Sequence, residues 1–86
     1  MEKSVHTQEY AVFLRMLREV RHGARVTQVD LARRLRQTQS FVSKVERGEA
    51  RIDVIQLRTI CRHLGTDLPT FAKRLEERLA KRQKIQ

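Results

Sequence analysis

The sequence predicts an all-α fold, a compact five-helix domain with no strand. Three observations carry that expectation. Apolar residues recur three and four apart in five separate runs, the period of helices that bury one face. Only one Pro and three Gly interrupt 86 residues, which suits helices joined by short turns. Four of the runs follow a Thr or Asp whose side-chain oxygen can accept from the first free amides of a helix.

The first run, Tyr10, Phe13, Leu14, Leu17 and Val20, predicts a helix from about Thr7 to His22. Gly23 then offers an exit through left-handed geometry. Thr27 with Asp30 three residues on resembles a capping box ahead of Leu31, Ala32 and Leu35, giving a short second helix over roughly 28–35. Thr38 can cap a third helix over 39–47, with Val42 and Val45 facing inward and Gly48 closing it.

Asp53 and Gln56 make a full capping box, with Ile52 and Leu57 where a hydrophobic staple needs them. The fourth helix then buries Leu57, Ile60, Cys61 and Leu64 and ends at Gly65. Asp67 caps the fifth, whose first turn tolerates Pro69 because that amide has no helical partner to lose. Leu68, Phe71, Ala72, Leu75 and Leu79 mark its apolar face.

Composition narrows the function. The formal charge is +9, spread as +2, +3 and +4 over residues 1–26, 27–51 and 52–86. Such a basic balance in one small domain is the electrostatic footprint of a nucleic-acid binder. A chain of this length supports one core, with no room for a sensing domain beside it.

The single cysteine, Cys61, cannot form an internal disulfide, which fits a reducing cytoplasm or simply a chain that needs no staple. No apolar run reaches the roughly 18 residues of a membrane span, and the polar start MEKSVHTQE lacks a signal-peptide core. A cytoplasmic location is expected. Cys61 and His63 point to nearly opposite helix faces, so with His22 and His6 they make no metal site. No catalytic constellation and no cofactor is expected either.

Two short helices joined by a three- or four-residue turn form a helix-turn-helix, whose second helix enters the major groove of double-stranded DNA. The start of the third helix leaves Gln39, Ser40, Ser43 and Lys44 opposite Val42 and Val45. Gln can pair with adenine, Ser with several bases and Lys with guanine, so these four are the candidate base contacts. The starts of the second and third helices carry free amides and partial positive charge, suited to phosphate. Gln28 sits at the first of them.

The stretch TQVDLARRLRQTQSFVSKVERG resembles the Xre family, the lambda-repressor and Cro-like helix-turn-helix domains. The resemblance runs on through ARIDVIQLRTICRHLGTDLPTF to about Leu75. It implies that Gln28 clamps a phosphate, that Gln39 and Ser40 touch base edges with Lys44 a turn later, and that Arg47 and Arg51 meet the DNA backbone. It also implies a structural ion pair between Arg21 and Glu46.

Members usually carry Gly in the turns before these two helices and an apolar residue ahead of the recognition helix; here those positions hold Arg25, Arg36 and Gln37. Left-handed geometry costs a residue with a Cβ about 1–2 kcal/mol. Arg36 either drifted or gained a phosphate contact, and the contact is the favoured expectation. For Arg25 neither is preferred.

The expected organisation is a flexible 1–6, a helix-turn-helix domain over 7–75 and a basic helical extension over 76–86. Leu68, Phe71 and Leu75 can complete the core. Alternatively Phe71, Leu75 and Leu79, with Ile85, form a homodimer contact, the favoured expectation because one recognition helix alone reads too few bases. Lys81, Arg82 and Lys84 either solubilise the end or grip DNA weakly. A membrane-surface role is set aside, since the last helix has no aromatic anchor beyond Phe71. The functional expectation is a sequence-specific transcriptional regulator. The competing one is an antitoxin or adapter that covers a protein partner such as a toxin.

Overall fold

The computed structural model describes residues 7–85, with side chains through 82. Residues 1–6 and the side chains of Lys84 and Ile85 lie outside the described part. Five helices follow in order: α1 Gln8–Gly23, α2 Gln28–Leu35, α3 Gln39–Glu46, α4 Val54–His63 and α5 Leu68–Ile85. Among the described residues there is no strand.

Each helix begins at a side-chain oxygen that accepts from an amide three residues on. Thr7 accepts from Tyr10 at 3.1 Å, Thr27 from Asp30 at 3.0 Å and Thr38 from Phe41 at 3.0 Å. Asp67 accepts from Thr70 at 2.8 Å, and this bond holds the Asp67 carboxyl below its ordinary range. Asp53 and Gln56 close a reciprocal box, both bonds 2.8 Å. Caps of this kind are worth about 1 kcal/mol each. The Thr27 site forms only the forward half of a box.

The helix ends are equally uniform. After α1, α2, α3 and α4 a residue with positive φ occupies the same position: Arg25 at 60°, Arg36 at 57°, Gly48 at 81° and Gly65 at 80°. In each case its amide reaches back to one carbonyl and the next amide to the carbonyl before that, as in Arg36 to Arg33 and Gln37 to Ala32. This is the Schellman closure, which satisfies two otherwise orphaned carbonyls. Two of the four are made by glycine and two by arginine. Gly23 therefore does not supply the exit from α1: it stays helical, and Arg25 takes the left-handed turn.

α1 packs on α3 and α5, α2 on α3 and α4, and α4 on α5. Met16, Leu17, Leu31, Val42, Val45, Ile60, Cys61 and Phe71 meet at the centre. Phe71 is only 2% exposed and stacks edge-on against Phe13, ring centres 6.0 Å apart. The favoured dimer role for Phe71 is thereby corrected, because its ring is spent on the monomer's own core. Leu75 and Leu79 are half-buried, and Ala72 is exposed rather than inward.

Beyond the core, α5 lies back along α1. Arg78 Nη2 donates to Glu19 Oε1 at 2.6 Å, and Arg82 to Gln8. The hydrogen bond from Arg78 holds the Glu19 carboxyl below its ordinary range. No helix among the described residues is long and apolar enough to cross a membrane.

Candidate nucleic-acid interface

The turn between α2 and α3 sets the angle of the second helix. Arg36 reverses the chain, Gln37 closes the motif through Ala32, and Thr38 starts α3. With Val42 and Val45 pinned in the core, Gln39, Ser40 and Lys44 stand exposed and Ser43 half-exposed on the outer face. Phe41 lies on the flank, between that face and α4.

Behind the outer face sits a buried ion pair. Arg21 Nε donates to Glu46 Oε2 at 2.6 Å and Nη2 to Oε1 at 2.9 Å, with the two residues 6% and 4% exposed. Arg21 Nη1 also donates to the Val26 carbonyl at 3.0 Å, so the same guanidinium ties α1, the link before α2, and α3. Arg18 Nη1 adds a bond to the Glu46 carbonyl at 3.0 Å. Burial alone would raise the Glu46 carboxyl; hydrogen bonds from Arg21 and Gln28 outweigh it and hold the group below its ordinary range.

The pair also reaches the surface. Gln28 Nε2 donates to Glu46 Oε1 at 3.0 Å, and Gln39 Nε2 donates to Gln28 Oε1 at 3.3 Å. Gln28 and Gln39 line one shallow cleft at the start of α2, together with His22, Arg25 and Thr27. An oxyanion there would face the free amides of the helix start and a guanidinium. Neither Gln28's bond to Glu46 nor Arg18's was expected from the sequence, because both join residues far apart in the chain.

The expected backbone contacts separate into two groups. Arg36 is exposed in the turn and makes no side-chain ion pair among the described residues. Arg47 is folded back: it forks onto Glu49 at 2.9 and 3.1 Å and donates to Ser43 Oγ. Arg51 lies over the Tyr10 ring, 5.0 Å from its centre, at the start of α1. A two-residue separation outside a helix gives no periodic signal, so the Arg47 and Glu49 pair was not legible in the sequence.

Among the described residues no group of three or more His, Cys, Asp or Glu could hold a metal ion. Cys61 is buried in the core, and burial pushes its thiol up, away from the reactive thiolate.

Residues 9–73 match the family described as "Helix-turn-helix domain". Among solved structures, an "XRE-family like protein" from Pseudomonas syringae pv. tomato str. DC3000 superimposes with a TM-score of 0.78. It is 43% identical, over 86% of this chain and 90% of that one. No curated protein matches the chain.

Proposed function

The chain belongs to the XRE-like helix-turn-helix family of DNA-binding regulators, and on that premise we propose that it reads a specific double-stranded operator through the exposed face of α3. The observation that carries this reading is the bonded line from Arg21 through Glu46 and Gln28 to Gln39. It ties the exposed Gln39, the side chain proposed to read a base, to a bonded line that begins in the core, and preorganisation of that kind removes ordering cost from binding. Gln39, Ser40, Ser43 and Lys44 contact base edges. Gln28, through the free backbone amide at the start of α2, and Arg36 hold phosphates, and Arg47 and Arg51 join them once released from Glu49 and Tyr10.

The protein acts as a non-enzymatic cytoplasmic regulator and as a homodimer, with half-sites about 34 Å apart on a partly palindromic operator. Leu75 and Leu79, half-buried on α5, are the remaining apolar candidates for the contact between copies. Selection of bound sequences from a random duplex pool tests the reading. The expected product is a two-fold related motif; recovery of unrelated sequences at every salt concentration overturns it.

A further inference from the structure

Between α4 and the turn that joins α2 to α3 runs an apolar groove of about 150 Å³. Leu35, Phe41, Ile55, Thr59 and Ile60 line it, with the polar Gln37 and Gln56 beside them. An apolar cavity of about that volume accepts a benzene-sized guest, so the groove has room for one large apolar side chain. Ile55, which lines it, and Val54, the residue before it, are 67% and 59% exposed, two of the three large hydrophobics left open to solvent among the described residues. Neither side chain completes the core, and neither side chain can donate to a phosphate.

The charge around the groove selects its occupant. α4 reads VIQLRTICRH, with no Asp or Glu. Arg58 and Arg62 follow Ile55 at helical spacing on the exposed side, and neither makes an ion pair among the described residues. A second copy seated there would bring its own Arg58 and Arg62 to the same contact, like charge against like. DNA would satisfy the arginines but strand Val54 and Ile55 against phosphate. An acidic segment with an apolar anchor satisfies both.

We propose that this groove is a docking site for an acidic segment of a partner protein, which seats one large apolar side chain against Phe41 and Ile55 and pairs its carboxylates with Arg58 and Arg62. An anchor in a pocket, ringed by charge that fixes orientation, is the usual anatomy of such a contact.

The test selects a displayed library of short random peptides against the full chain and measures the enriched peptides by fluorescence anisotropy. Enrichment of a single Leu, Phe or Met flanked by Asp and Glu is expected. Ile55→Asp should weaken those peptides roughly tenfold or more, the loss typical of an anchor contact. That variant adds an acid to an exposed first turn, where the helix tolerates it, and circular dichroism checks that it stays folded. Arg58→Glu with Arg62→Glu should turn the preference toward basic flanks. Enrichment without acidic bias, or binding indifferent to Ile55→Asp, overturns the proposal. So does a wild-type dimer that Ile55→Asp dissociates, which assigns the groove to a second copy. A uniform loss of DNA binding in Ile55→Asp, with peptide binding intact, assigns it to DNA and overturns it equally.

Discussion

Arg21 and Glu46, separated by 25 residues, share two hydrogen bonds inside the domain, and the same carboxylate accepts from Gln28. The pair joins α1 to the end of α3. Removing one partner leaves a buried charge without its counter-ion, which typically costs about 3–5 kcal/mol.

Glu46→Gln should therefore destabilise the fold most at neutral pH. The folded carboxyl lies below its ordinary range, so its stabilisation is complete above the unfolded carboxylate pKa and fades as pH falls through the folded one. Urea unfolding of wild type and variant across acidic pH should show the difference shrinking toward low pH. A constant difference would detach the effect from ionisation.

Gln39→Ala should cost about 1–3 kcal/mol on the best operator and relax preference at a single base position. Competition binding on a set of operator variants distinguishes this from a general loss. Equal weakening on every sequence would remove Gln39 from base reading.

Arg25→Gly and Arg36→Gly both relieve a left-handed backbone. Relief of about 1–2 kcal/mol is partly offset by the extra freedom glycine brings to the unfolded chain, about 0.5–1 kcal/mol. Thermal unfolding should show both variants at least as stable as the wild type. Arg36→Gly should in addition weaken DNA binding evenly and lower the salt slope by roughly one per subunit. An unchanged slope would mean that the strain at Arg36 has no phosphate contact behind it.

Leu79→Asp should move sedimentation toward monomer while helical content is kept, since Leu79 is only half-buried within one copy. A wild type that sediments as monomer at high concentration ends the dimer proposal.

Helix starts were legible because capping is local. Thr27, Thr38, Asp53 and Asp67 each announce their helix through a bond three residues long. Helix ends were harder. Gly23 looked like an exit, but α1 runs through it and the left-handed position falls two residues later, at Arg25, where only the family spacing had marked a missing glycine. Periodicity on α1 and α5 also blurred at the edges. Met16 is wholly buried although the stripe through Phe13, Leu14, Leu17 and Val20 did not include it, and Ala72 is exposed. The outer face of α3 followed from spacing alone, whereas the bond from Gln28 to Glu46 depends on how three helices meet.

The bonded line behind α3 also has a polarity. A carboxylate can only accept, so Glu46 obliges Gln28 to turn its amide nitrogen inward and its carbonyl outward. That carbonyl in turn takes one N–H of Gln39. What Gln39 has left to show is one N–H and its own carbonyl, a donor beside an acceptor, the complement of the N7 and N6 edge of adenine. An ionised acid in the interior thus orients two amides that could otherwise flip, and so sets which donor and which acceptor Gln39 turns to the surface.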